Sequence, residues 1–173
     1  EMVSVVADVT KPLPFRDASC DLVLCSEVLE HIPNPGELIR EIARILKSGG
    51  SCLGSVPFLW PVHYAPYDFL RYTPFMLERL FREAGFANVS VKGMGRPADV
   101  YKNIGDQFFT IHLLETKFSD NRWKHGLMKL ASRGLRKLSS ASFRLFGPVL
   151  RAAPPSSGFA LGYAFRAVKR IGE

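Results

Sequence analysis

Several things missing from this chain narrow its function. It has three cysteines, Cys20, Cys25 and Cys52, an odd number that lacks the paired CxxC spacing of a zinc site. Reduced thiols in a cytoplasmic chain are the expectation. No run of about 20 apolar residues occurs, so no segment reads as a spanning helix. The opening EMVSVVADVT lacks the basic start and long apolar stretch of a secretion signal, and the Asn88-Val89-Ser90 sequon therefore carries no weight. Glu1 stands one residue before a strand-like run, which predicts a segment upstream of it. There is no internal repeat. Gly93-Met94-Gly95 follows a late strand and opens no helix, so it is not a nucleotide-binding glycine loop.

Acidic residues are also missing from one region. Between Lys117 and Arg151 nine basic residues face Asp120 alone, while the remainder holds 14 basic and 15 acidic residues. The net charge of +7 therefore belongs to one segment, whereas a nucleic-acid protein usually spreads it over its main domain. In that segment Leu127, Ala131, Leu135, Leu138, Ser142, Leu145 and Val149 recur every three to four residues. The pattern predicts an amphipathic basic helix pair broken near Ser139-Ser140. Two readings stay open: a helix lying on an anionic membrane surface through 117–151, or a solvated insertion covering an acceptor pocket. Phe118, Trp123, Phe143 and Phe146 lie on no strand platform, which argues against nucleic acid.

What is present is an ordinary globular composition, 47% hydrophobic and 23% charged over 173 residues, enough for one core. Val3 to Ala7 reads as a short buried strand, then the proline-rich Thr10 to Pro14 as a loop, and Leu22 to Cys25 as a second strand. Asn34, Pro35 and Glu37 mark a helix start, Leu38, Ile39, Ile42, Ile45 and Leu46 keep its period, and Gly49-Gly50 marks its end. Ser51 to Val56 follows as a strand, Thr73 to Gly85 as a helix, and Asn88 to Lys92 as a strand. The Ala153-to-Gly158 linker then leads to a final strand over Phe159 to Val168. Alternating strands and helices predict an α/β fold with a largely parallel sheet and helices on both faces. Asp8, the Ser26-Glu27 pair and the Pro57-to-His63 loop each follow a strand, so parallel strands bring them to one ligand-binding edge. Within CSEVLEHIPNP, Glu27, Glu30 and His31 fall at i, i+3 and i+4, so one helical turn sets all three on one face.

The run ADVTKPLPFRDASCDLVLCSEVLEHIPNPGELIREIARILKSGGSCLGSVPF resembles the later half of a class I S-adenosylmethionine-dependent methyltransferase domain of the small-molecule and lipid group. YDFLRYTPFMLERLFREAGF matches that group's next helix and the turn before its sixth strand. The resemblance covers residues 3 to 95, with the last strand at 159 to 168. It implies a Rossmann-like methyltransferase sheet lacking its first two strands, with a helical basic insertion before the last strand. The chain then divides into a core part at 1–98, the insertion at 99–153, and linker plus final strand at 154–173. It implies S-adenosyl-L-methionine as cofactor, with Asp8 near the adenine amine, Val9 beside the ring, and Ser26 and Glu27 by the methionine end. It sets His31 and the Pro57-to-Arg71 loop over the acceptor, with His63, Tyr67, Asp68 and Arg71 lining that pocket. The acceptor is expected to be a small or lipid- or saccharide-linked molecule, methylated at oxygen.

His31 is the candidate base, since an imidazole titrates near neutrality; a structural role for it stays open beside that. The expected metal content is none. The alternative rests on a likeness to the E-x-x-E-H turn of certain metal-dependent members: a divalent ion shared by Glu27, Glu30 and His31, with His63 as a further donor. The glycine-rich loop after strand one and the acidic end of strand two have no counterpart here. In the family's order, 3-2-1-4-5-7-6, those strands would lie between this chain's first two, so residues 3 to 8 are expected to be detached or wrongly paired. The competing class is a non-catalytic remnant acting as an interaction or membrane-surface module.

Overall fold

The computed structural model describes residues 5–107, 122–154 and 158–171. Val3, Ser4, residues 117–121 of the basic segment and residues 155–157 of the linker lie outside the described residues. The described chain forms two compact units, one of residues 1–92 with 162–173, the other of residues 93–161.

The first unit is built on a four-stranded sheet. In chain order its elements are β1 (Cys20–Ser26), a 3-10 turn (Leu29–His31), α1 (Pro35–Ile45), β2 (Leu46–Pro57), α2 (Pro74–Glu83), β3 (Phe86–Met94) and β4 (Gly162–Lys169). The spatial order is β1-β2-β4-β3, with β1 parallel to β2 and β4 antiparallel to it. This is the order expected for strands four to seven of the sheet that the sequence resembles. The basic helical segment lies between β3 and β4, as expected.

Local chemistry explains most boundaries. Pro35 occupies the first turn of α1, and Leu38, Ile39, Ile42 and Ile45 are all buried along one side. The Thr73 side chain caps α2 by accepting from Met76 N, and Gly85, at φ +93°, closes its far end in the left-handed conformation. Phe81 of α2 packs against Phe86 and Phe165, with ring centroids 5.2 and 4.9 Å apart. With Leu29, Ile39, Leu46, Cys52, Val56, Leu77 and Tyr163 these rings form the core.

Three expectations change in this unit. Val5 to Asp8 forms no strand and is exposed, Val6 at 92%, because no described strand lies beside it to complete a ladder. Of the two outcomes expected for residues 3 to 8, these four are detached. Helix α1 stops at Ile45 rather than at Gly49-Gly50, because Leu46 already pairs with Cys20 and opens β2. The pairing then slips, from Cys20↔Leu46 to Leu22↔Ser51, and Gly49 takes φ +76° in that irregularity. Among the described helices of this unit, cover is found on one face: α2 sits against Phe165, and α1 meets α2 where Gly36 approaches Leu80. On the other face of β1, Leu22 and Leu24 are 51% and 73% exposed.

The second unit is a helix pair, α3 (Pro97–Gln107) and α4 (Arg122–Ala152). Tyr101 stacks on Phe143 at 6.2 Å, its hydroxyl is 2.5 Å from Ser142 Oγ, and Gly105 lets α3 approach Ser139 closely. α4 runs unbroken through Ser139-Ser140, where a break was expected. Two neighbouring serines turn their hydroxyls back onto the helix, Ser132 to Met128 O and Ser142 to Ser139 O.

Candidate functional site

The parallel pairing of β1 and β2 sets Ser26 opposite Ser55. Ser55 Oγ donates to Glu27 Oε1 at 2.6 Å, so the 2.6 Å contact between Ser26 and Ser55 is donated by Ser26. The backbone of Glu27 is tied to the same residue, its N–H donating to Ser55 O, and Glu27 adopts φ +53° to do so. Sequence reading selected Ser26 and Glu27 but missed Ser55. Only the strand register brings it in.

The 3-10 turn then carries Glu30 and His31 to the proline-containing loop after β2. Glu30 is fully buried, and neither of its carboxylate oxygens has a hydrogen-bond partner among the described residues. Burial pushes its carboxyl above the usual range, and the nearby Glu27 adds to the shift; its own N–H and the two imidazoles offset part of it. The Glu30 carbonyl is engaged separately, accepting from Phe69 N and Leu70 N, which pins the loop over the turn.

Two imidazoles face that carboxylate. His31 Nε2 is 3.7 Å and His63 Nε2 3.9 Å from Glu30 Oε1, with ring centroids 4.9 Å apart. The far nitrogens fix the tautomers. His31 Nδ1 lies 2.7 Å from the Tyr67 carbonyl, and His63 Nδ1 lies 3.2 Å from the Pro61 carbonyl and 3.1 Å from Asp68 Oδ2. All three are acceptors, so Nδ1 carries a hydrogen in both rings, which leaves Nε2 of each as the ring atom facing the carboxylate. One donor atom from each of Glu30, His31 and His63 falls within 4.8 Å of the others, a spacing that a metal ion can bridge. Glu27 is not in that group, because its backbone turns away to Ser55 before the 3-10 turn begins.

Asp68 and Arg71 support this cluster. Arg71 donates to both Asp68 oxygens, at 2.6 and 2.8 Å, and also to the Pro61 carbonyl at 3.1 Å. The paired guanidinium holds the Asp68 carboxyl well below the usual carboxylate range, with His63 N–H and ring contributing less. Tyr67 enters through its carbonyl, while its side chain is 65% exposed. Tyr64, at φ +52°, sets its exposed ring 5.8 Å from both imidazoles.

Asp8 and Val9 lie apart from these contacts. Asp8 Oδ1 accepts from the N–H and hydroxyl of Thr10, which lower its pKa, with Lys11 adding a smaller effect. Val9 lines a cleft of about 440 Å³ with Ile32, Asn34, Glu37, Leu38 and Arg40. The loop between them and β1 is held to α1 by Arg44, which reaches Leu13 O, Phe15 O and Asp17, and by Glu41, which accepts from Leu13 N. Cys25 and Cys52 are free and buried in the sheet, and burial pushes both thiols up to about 12.

Comparison with known families matches residues 1–54 to a family described as a methyltransferase domain. That match takes in about a third of the chain, from the residues before β1 into β2. A ubiquinone biosynthesis O-methyltransferase from Burkholderia pseudomallei is 33% identical over 91 residues, which is 43% of this chain and 39% of that protein. The match thus spans about two fifths of that curated relative. Among solved structures, a SAM-dependent methyltransferase from Archaeoglobus fulgidus aligns with TM-score 0.53 and 15% identity, over 95% of this chain and 66% of the other. The [4+2]-cyclase SpnF aligns with TM-score 0.52 and 18% identity, over 97% and 56%. At such identities the likeness is one of fold. The methyltransferase sheet order is present from its fourth strand onward, and the polar network of Ser26, Ser55 and Glu27 stands at the ends of its parallel strands.

Proposed function

We propose that the parent protein is an S-adenosylmethionine-dependent methyltransferase acting on an oxygen of a small or lipid-linked acceptor. One observation carries this reading: the exposed Ser26–Ser55–Glu27 network at the carboxyl ends of β1 and β2, in a chain with a methyltransferase family match. The residues fit the methionine end of the cofactor. A carboxylate held by a serine hydroxyl suits a ligand bearing an ammonium and a sulfonium. When bound, the cofactor supplies an electrophilic methyl group. The chain's own residues orient it and take the acceptor's proton. His31 is suited to the second task, because its Nδ1 is bonded to Tyr67 O and its Nε2 is left as the basic atom. The activity named for the Burkholderia relative supports an oxygen acceptor.

A second reading is favoured by the unpartnered Glu30. Glu30, His31 and His63 would hold a divalent cation, which supplies a positive charge that acidifies an acceptor hydroxyl. The two readings use the same His31 Nε2, so they are mutually exclusive for that atom. Calorimetry with S-adenosylhomocysteine tests the first: binding is expected, weakened at least about tenfold by Glu27→Ala, the loss of one charge-assisted contact. Absence of binding at any concentration would leave the non-catalytic remnant. Chelator-sensitive activity restored by Mn2+ separates the second reading from the first.

A further inference from the structure

Helix α4 carries eight basic side chains and no acidic one between Arg122 and Ala152. Its residues divide among three faces. One is used inside the unit, where Ser139, Ser142 and Phe143 meet α3. A second face holds Leu127, Leu138, Leu145 and Val149, whose spacing stacks them in one row. They are 53%, 67%, 71% and 71% exposed. Arg133, Lys137 and Arg144 form a third row about a third of a turn away, and all are exposed. With Arg136 they line a shallow groove closed by Leu130, Ser140 and Ala141. No described helix is long and apolar enough to cross a membrane.

We propose that α4 is a docking helix for an anionic lipid surface. The aliphatic row sinks to the headgroup–acyl boundary, and the basic row meets the lipid phosphates. Charge complementarity selects this occupant. A nucleic acid would satisfy the cations but leave four exposed aliphatic side chains with no partner. A second copy packed on the aliphatic row would bring two cationic rows side by side. Only an anionic bilayer accepts both rows at once.

Flotation of the full chain with phosphatidylcholine vesicles, with and without phosphatidylglycerol, tests the proposal. Partition is expected with the anionic vesicles and not with phosphatidylcholine alone. Reversing three charges in R133E/K137E/R144E is expected to lower partition by at least roughly 100-fold. L138Q/L145Q keeps the charge and is expected to lower it at least about tenfold. Both variants change exposed positions, and circular dichroism checks that they remain folded. The proposal is overturned if either folded variant partitions like the wild type, or if neutral vesicles bind equally well. Tighter binding to a single-stranded RNA than to anionic vesicles overturns it in favour of nucleic acid. A dimer in solution that L138Q/L145Q dissolves, without any vesicle binding, overturns it in favour of self-association.

Discussion

Glu30 Oε1 stands 3.9 Å from His63 Nε2, although the two residues come from separate segments on either side of β2. The buried carboxylate has no hydrogen-bond partner among the described residues, and the imidazole tautomer is fixed by Pro61 O and Asp68. On the second reading this pairing belongs to a cation site: Mn2+ should then bind one per chain in calorimetry, and Glu30→Gln should weaken it by at least about 100-fold. Asp68→Asn, which removes an outer partner, should weaken it about 10- to 100-fold. In metal-free protein Glu30→Gln should leave the urea midpoint unchanged or raised, because the buried carboxyl it replaces has no hydrogen-bond partner among the described residues. A lowered midpoint would point to a structural role for the carboxylate instead.

Glu41 ties the loop before β1 to α1 by accepting from Arg44 and from Leu13 N. The Arg44 bond, followed by that of Leu13, lowers the Glu41 pKa in the folded chain. A depressed carboxyl contributes stability above its unfolded pKa, and that contribution is lost as pH falls through the folded value. Glu41→Gln should therefore cost about 1 kcal/mol near pH 7 and progressively less as the buffer is acidified below about pH 4. Denaturant unfolding across that range measures it. A constant cost at all pH values would contradict the assignment.

Gly54 lies where a side chain has no room. A Cβ there would overlap the Cys25 carbonyl and the Phe165 ring, and both belong to the packed sheet. Gly54→Ala should destabilise the first unit by about 3 kcal/mol. A melting temperature equal to that of the wild type would show that β1 and β2 are looser than described.

Burial that pushes the Cys25 and Cys52 thiols up to about 12 keeps them protonated at pH 8. A thiol reagent at that pH should modify Cys20 first in the native chain, and all three cysteines only after unfolding. Three equally fast thiols would indicate an open sheet.

Much of the fold was legible because its signals are local. Thr73-Pro74 and Gly85 bound α2 through capping chemistry, and the short apolar run at β1 admits no amphipathic helix. Where a distant partner decides, the local reading failed. Gly49-Gly50 looks like a helix end, yet Cys20 claims Leu46 for the sheet several residues earlier. Val5 to Ala7 has strand composition but no described neighbour to pair with. At the site, spacing grouped Glu27 with Glu30 and His31, and it could not register that Ser55 holds Glu27 at φ +53° outside the turn. His63 was legible as a residue of the loop after β2. Its place opposite Glu30 depends on how Asp68 and Arg71 fold the loop back.

Calorimetric titration of the chain with S-adenosylhomocysteine, in wild type and Glu27→Ala, tests the central claim most directly. The account predicts saturable one-to-one binding that weakens at least about tenfold in the variant. Equal binding by both proteins, or none by the wild type, would contradict it.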